Sequence, residues 1–155
     1  MTTTPGSELD EATRRALAVG LFNRVWELLD QPSRSADDDE ELVDAAHASR
    51  YHWRSVGGAR ELAIGDWQLA RVYAVLGRAE PALVHARRCR DRAQRLADEP
   101  WLTASAYEAL ARAHVVAGDR AAAAAWKARA VEQLALEPDP DNREVVERDL
   151  ATLPL

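Results

Sequence analysis

The feature that most constrains the fold of this 155-residue chain is a segment that occurs twice. The stretches LARVYAVLGRAEPAL, residues 69–83, and LARAHVVAGDRAAAA, residues 110–124, align without a gap at an offset of 41 residues. Identical residues stand at positions 69/110, 70/111, 71/112, 75/116, 77/118 and 82/123. Each copy has a small residue, a ring-bearing residue, a glycine and a second small residue in the same order. This order predicts one helical hairpin used twice, because small residues let packed helices approach closely.

Glycine and proline stand at the ends of long segments, and runs of alternating β-branched residues are almost absent. This pattern predicts an all-α protein. From residue 57 onwards, turn signals recur about every 20 residues, at 57–58, 77, 98–100, 118 and 138–141. Such even spacing indicates antiparallel helices of similar length. We therefore predict a single helical-repeat domain over residues 7–155, preceded by a flexible N-terminus at residues 1–6.

The predicted array has six main helices and a short C-terminal helix. Its hairpins span about 8–56, 60–97 and 101–135, and the terminal helix spans about 140–151. Capping signals set the helix starts, namely Ser7 with Asp10, Ser35 with Asp38, and Asp139 before Pro140. At Gly57-Gly58 we expect a left-handed cap to end the second helix, since glycine adopts that conformation at little cost.

The order of residues in the repeated segment resembles the tetratricopeptide repeat. The matching positions are Ala70, Tyr73, Gly77 and Ala82, then Ala111, His114, Gly118 and Ala123. The period of 41 residues exceeds the usual repeat of about 34, and the extra length lies in the second helix and its linker. A wider region, about 45–135, contains AHASRYHW, GDWQLARVYAVLGRAEPALVHARRC and AYEALARA, and it resembles an uncharacterised bacterial family of tetratricopeptide-like proteins. Both resemblances imply stacked helical hairpins, and neither implies a catalytic residue.

Composition narrows the classes of function. A net charge of -6 and a pI near 5.2 argue against general affinity for nucleic acid, which depends on cationic neutralisation of phosphates. No apolar run approaches the ~20 residues of a membrane span, and no signal peptide is evident, so we predict a cytoplasmic protein. Cys89 is the single cysteine, which excludes a cysteine-based zinc site, and we predict it to be buried. We expect no cofactor and favour a non-catalytic role.

A groove is the most specific functional prediction. If the tetratricopeptide register applies, the first helix of each hairpin presents Trp67 and Arg71 from one repeat and Glu108 and Arg112 from the next. Guanidinium groups bind carboxylates through two parallel hydrogen bonds, and a tryptophan offers a rigid apolar anchor. We therefore predict a protein or peptide interaction module that binds an acidic segment or a carboxylate. The competing interpretation is internal pairing, for example of Arg112 with Glu108 one turn away.

The stretch AHASRYHW suggests an alternative function. His47 and His52 are five residues apart, which separates them by about 140 degrees around a helix, so they cannot share a metal ion as a local pair. Trp53 falls on an apolar stripe and is predicted to pack. If the second and fourth helices approach each other, we expect His52 to reach His85. The alternative is then a small-ligand or metal-dependent enzyme with a pocket of His47, His52, Trp53 and His85.

One side of the fourth helix is rich in arginine. The segment HARRCRDRAQR places four arginines there: Arg87, Arg88, Arg92 and Arg95. We interpret this face as solvated rather than phosphate-binding, since aromatic residues do not interleave it. It could also pair with the acidic start of the second helix of a neighbouring copy. Because two or three hairpins give little groove, we also predict a homodimer that completes a core or groove, which exposed Trp26 or Trp101 would favour. A third hypothesis is a self-assembling structural subunit with no groove ligand.

Overall fold

A computed structural model of the chain describes residues 9–155, and every regular element in this range is an α-helix. The helices are α1 (Glu11–Leu29), α2 (Ala36–Val56), α3 (Ala59–Val75), α4 (Ala79–Ala93), α5 (Pro100–Val116), α6 (Arg120–Leu134) and α7 (Pro140–Ala151). Consecutive pairs form antiparallel hairpins, and contacts of α3 with α5 stack the hairpins into a repeat-like array. The predicted all-α architecture of six main helices and a short terminal one is confirmed. Across this part of the chain, no helix has the length and apolarity that crossing a bilayer requires.

The first helix begins three residues later than the sequence indicated. The Thr13 amide donates a hydrogen bond to the Asp10 carboxylate at 2.6 Å, so Asp10 is the N-cap and the helix starts at Glu11. A carboxylate that accepts from the third residue after it satisfies one free amide of the first turn. The predicted cap at Ser7 and the flexible segment at residues 1–6 lie outside the described residues.

Two other predicted caps are present. The Asp38 amide donates to the Ser35 hydroxyl at 3.1 Å, and the Ser35 amide donates to the Asp38 carboxylate at 2.8 Å, which is a reciprocal capping box. Asp139 caps α7 by accepting from the Asp141 amide at 2.9 Å, with Pro140 at the first helical position. These local signals define the starts of α2 and α7 without help from tertiary contacts.

The turns within the second and third hairpins have the same backbone geometry. Gly77 and Gly118 have φ angles of 71 and 80 degrees, a conformation that favours glycine. In both turns, the amide of the residue after the glycine donates to the carbonyl oxygen five residues earlier, at 2.9 Å. This hydrogen bond is typical of a glycine-terminated helix and satisfies a carbonyl group of its last turn.

The link between α2 and α3 differs from the prediction. Gly57 and Gly58 have φ angles of -106 and -116 degrees, so neither residue forms the expected left-handed cap. Close approach explains the glycine at position 57 instead. A Cβ atom there would stand 2.8 Å from the Cβ of Glu61 and 3.0 Å from the Trp53 ring. The small residue therefore allows α2 and α3 to meet with almost no linker.

Small residues form the seams between helices. The four alanines that the repeat analysis aligned, Ala70, Ala82, Ala111 and Ala123, are all buried. Cys89 is also fully buried, as predicted, and burial raises the pKa of its thiol. Side chains of this size let α3, α4, α5 and α6 pack closely, and close packing maximises dispersion contacts between the helices.

The C-terminal helix is an integral part of the core. Val146, Leu150 and Leu153 are buried in a cluster with alanines of α5 and α6. At the start of α5, the buried Glu137 carboxylate accepts a hydrogen bond from the Trp101 amide at 3.1 Å. This bond satisfies an amide that the helix itself leaves free. Helix α7 is therefore fixed to the array along its length.

Candidate functional site

The predicted groove residues Arg71, Glu108 and Arg112 lie together in the interior of the array. The Arg112 Nε donates to the Glu108 carboxylate at 2.7 Å, and the same oxygen lies 3.6 Å from a terminal nitrogen of Arg71. Glu108 is only 1% exposed. Burial raises the pKa of Glu108, and the two neighbouring guanidiniums only partly oppose that shift. The internal pairing considered from the sequence is thus present.

Helix α7 covers these two arginines. The Asp149 carboxylate lies 2.9 Å from Arg71, and Arg112 donates to the Asp149 carbonyl oxygen at 2.9 Å and to the Thr152 hydroxyl at 2.7 Å. The side chains of Arg71 and Arg112 are 13% and 14% exposed. Both guanidiniums already contact an acidic helix of the same chain, so a second acidic segment finds little of either side chain exposed.

Trp67, the fourth predicted groove residue, packs against aromatic and apolar side chains. Its ring centroid lies 5.4 Å from that of Trp26 on α1, and Trp67 also contacts the clusters around α4 and α5. Trp26 and Trp101, whose exposure would favour a dimer, are both half-buried. These tryptophans therefore contribute mainly to packing within the array.

The structure brings together only half of the alternative histidine pocket. The ring centroids of His47 and His85 are 5.6 Å apart, so His47 makes the contact with α4 that we expected from His52. Within residues 9–155, the buried Nδ1 of His52 has no hydrogen-bond partner. Trp53 lines a separate apolar cavity of about 180 Å³ between α1, α2 and α3. The wide angle between positions 47 and 52 on one helix explains this separation.

A basic cavity lies between α2 and α4. It has a volume of about 380 Å³ and is lined by His47, Arg50, Tyr51, Arg54, His85 and Arg88. The α2 residues follow one another at intervals of three, one and three, and the two α4 residues are three apart, so each set occupies one face of its helix. We call the six residues the basic cavity. Sequence reasoning missed Arg50 and Arg54, although their spacing from His47 marks them as neighbours.

Asp66, on α3, binds two of the side chains that line this cavity. Its carboxylate is fully buried and accepts hydrogen bonds from Arg50 at 3.0 Å, His85 at 2.9 Å and Arg92 at 3.3 Å. Burial would raise the pKa of Asp66, but the hydrogen bonds from His85 and Arg50 outweigh it and lower the pKa. Because an ionised carboxylate only accepts, the His85 Nδ1 carries a proton. Asp66 thus fixes the orientation of His85 and Arg50.

Tyr73 connects the two histidines. Its ring stacks on His85 at a centroid distance of 5.8 Å, and its hydroxyl lies 2.8 Å from the Nε2 of His47. Desolvation lowers the pKa of His47, and the positive groups of His85 and Arg50 lower it further. The His47 ring is therefore mostly neutral near pH 7, although a bound anion would favour its protonated form.

Two guanidiniums of the cavity have no internal counter-ion. Arg54 and Arg88 are exposed, and neither has a carboxylate within salt-bridge distance in the described part of the chain. Next to Arg88, the residues Asp91, Arg92 and Arg95 line a second cavity of about 210 Å³. The positive surface therefore continues from α2 along α4. We call Arg54, Arg88, Arg92 and Arg95 together the basic face.

The chemistry of this site is that of anion binding. Over residues 9–155, no three histidine, cysteine, aspartate or glutamate side chains come close enough to hold a metal ion together. Asp66 is already saturated by cationic partners, and the Cys89 thiol is fully buried. The cavity therefore combines two donors that Asp66 holds, Arg50 and His85, with the exposed guanidiniums of Arg54 and Arg88.

Because the comparisons with known proteins found no match, a role for the chain has to be argued from the geometry described above. No family model, no curated protein and no solved structure matches the chain.

Proposed function

We propose that this chain is a non-catalytic interaction module that binds an acidic segment of a partner protein across its basic face. The observation that carries the proposal is that Arg54, from α2, and Arg88, from α4, line one cavity and have no carboxylate partner among residues 9–155. Surface arginines in this chain often pair with nearby acids, as Arg24 does with Glu41 at 2.7 Å. Two unpaired guanidiniums on different helices are therefore well suited to an external anion.

Electrostatics support an acidic partner. The chain has a net charge of -6, so a cluster of arginines on one surface differs in sign from the molecule as a whole. Guanidinium groups match carboxylates with two parallel hydrogen bonds, and local positive potential speeds the approach of an anionic partner. Because Asp66 holds Arg50 and His85 in place, part of the site is ordered before binding, and less conformational entropy is lost.

The stacked hairpins support the same class of function. Helical-repeat proteins use extended surfaces formed by successive hairpins to bind other proteins. With this function we also propose that the chain is a tetratricopeptide-like protein of the bacterial family that it resembles, and that it is located in the cytoplasm. The proposal moves the binding site from the groove to α2 and α4, because Asp149 and Thr152 already contact Arg71 and Arg112.

Fluorescence anisotropy with a labelled glutamate-rich decapeptide tests the proposal. Exposed ion pairs contribute about 0.2–1 kcal/mol each, so an Arg54→Ala/Arg88→Ala double variant should weaken binding by up to about 2 kcal/mol, or roughly 30-fold in Kd. Arg87→Ala is the matched control, since Arg87 is exposed on the same helix but does not line the cavity.

The control should bind like the wild type. Unchanged affinity of the double variant would contradict the proposal. It would also be contradicted if a single-stranded oligonucleotide bound as tightly as the acidic peptide at equal ionic strength, because the site would then recognise nucleic acid.

A further inference from the structure

We infer that the basic cavity binds the dianion of a phosphate monoester, an inference that rests on the proposed function and names the group at its centre. The cavity lies between α2 and α4 and is lined by three guanidiniums and two imidazoles. The shared chemistry is a phosphate ester. Its source is either a phosphorylated side chain within an acidic segment or a free phosphorylated small molecule.

The balance of charge favours a dianion over a carboxylate. Of the three cavity guanidiniums, Arg50 is paired with Asp66, whereas Arg54 and Arg88 have no acidic partner among residues 9–155. Two positive charges therefore remain, and a single carboxylate would neutralise one of them. A phosphate monoester carries about -1.5 to -2 charges near pH 7 and so matches the pair.

The number of donors favours the same group. A phosphate monoester has three terminal oxygens that accept strong hydrogen bonds, and each guanidinium offers a planar fork of donors. Arg54 and Arg88 line the cavity from two different helices, so they can bind different oxygens of one tetrahedral group. The imidazole of His47, which also lines the cavity, supplies a further N–H group when an anion favours its protonation.

The surroundings of the cavity suit a phosphate within an acidic segment. A cavity of about 380 Å³ leaves room for the phosphate group together with the atoms that link it to a chain. Beyond Arg88, the basic face continues to Arg92 and Arg95, where neighbouring carboxylates of the same segment would lie. Three acids face this region: Asp66 is paired with Arg50 and Arg92, Asp91 is paired with Arg90 at 2.8 Å, and Asp44 acts on His47 from the same helix.

Isothermal titration calorimetry with three probes tests this inference. The probes are the peptide Glu-Glu-phosphoserine-Glu-Glu, the same peptide with aspartate in place of phosphoserine, and phenyl phosphate. The phosphopeptide should bind at least about tenfold more tightly than the aspartate peptide, since the phosphate has a second negative charge and a third acceptor oxygen that the carboxylate lacks. Arg54→Ala and Arg88→Ala should each remove most of this advantage, and Arg87→Ala should keep it. Thermal unfolding followed by circular dichroism verifies that each variant is folded.

The possible results separate the two proposals. Equal affinity for the two peptides would overturn the phosphate inference and leave the proposed function standing, whereas binding of neither peptide would overturn both. An advantage that persists in the Arg54→Ala/Arg88→Ala double variant would place the phosphate elsewhere and overturn the inference. Phenyl phosphate that binds as tightly as the phosphopeptide supports a small-molecule ligand, and much weaker binding supports a phosphorylated side chain.

Discussion

Replacing Asp66 with asparagine should destabilise the fold, because this fully buried carboxylate is the common partner of Arg50, His85 and Arg92. Removing one partner of a buried ion pair costs about 3–5 kcal/mol. Two features reduce the expected loss of stability. The amide oxygen of asparagine still accepts from His85, and Arg92 is 35% exposed at 3.3 Å, so it regains water easily. We therefore expect a loss of about 3 kcal/mol near pH 7.

The dependence on pH gives this prediction a second signature. The folded state lowers the pKa of Asp66 below the ordinary 3.8, so its ionised form contributes stability that is present above pH 3.8. That contribution is lost as the pH falls through the lowered pKa. The difference between wild type and Asp66→Asn should therefore shrink in acid, where the wild-type carboxyl is protonated as well.

Urea unfolding followed by circular dichroism measures both signatures. Asp44→Asn is the matched control, since Asp44 is an exposed acid of α2 close to His47. The control should lose less than about 0.5 kcal/mol, as is usual for surface substitutions. A loss below about 1 kcal/mol for Asp66→Asn, or a loss of equal size in acid and near pH 7, would refute the argument that ion pairing holds the cavity together.

Two further predictions concern the fold. Gly77→Ala should cost about 1–2 kcal/mol in urea unfolding, since its φ of 71 degrees disfavours a side chain, whereas Gly20→Ala should stabilise by about 0.5–1 kcal/mol, because Gly20 lies inside α1 with open space around it. A stabilising effect of Gly77→Ala, or a destabilising effect of Gly20→Ala, would contradict the assigned backbone geometry. Leu150→Ala should cost about 2–5 kcal/mol because Leu150, on α7, is buried in the cluster with α5 and α6, while Val145→Ala, at an exposed position of α7, should cost little. Equal losses for these two variants would mean that α7 does not pack as described.

The fold was predictable because its signals are local. Helix caps and turns depend on residues only a few positions apart, so the sequence alone reveals them. Examples are the capping box of Ser35 and Asp38, the Asp139 cap and the glycine turns. At Gly57 the predicted left-handed cap was wrong, since glycine is needed there because a side chain of the next helix approaches closely. Backbone preference is visible in a sequence, whereas the crowding of two helix ends is not.

The candidate site was only partly predictable, because it depends on how helices rotate against one another. Buried residues of α2 face α1, where the Ser49 hydroxyl donates to the Ala18 carbonyl oxygen at 2.7 Å. This contact sets the rotation of α2 and turns His47, rather than His52, towards α4. Likewise, no pattern in the sequence near Arg71 or near Asp149 indicates that α7 packs so that these two side chains meet.

The most direct test of the basic face is a map of where an acidic peptide binds. Titrating the isotopically labelled protein with the glutamate-rich decapeptide and following amide chemical shifts by NMR gives that map. The proposal predicts the largest changes at residues 47–54 of α2 and 85–95 at the end of α4. Changes confined to residues 104–112 and 146–153, where α5 meets α7, would place binding at the groove instead and contradict it.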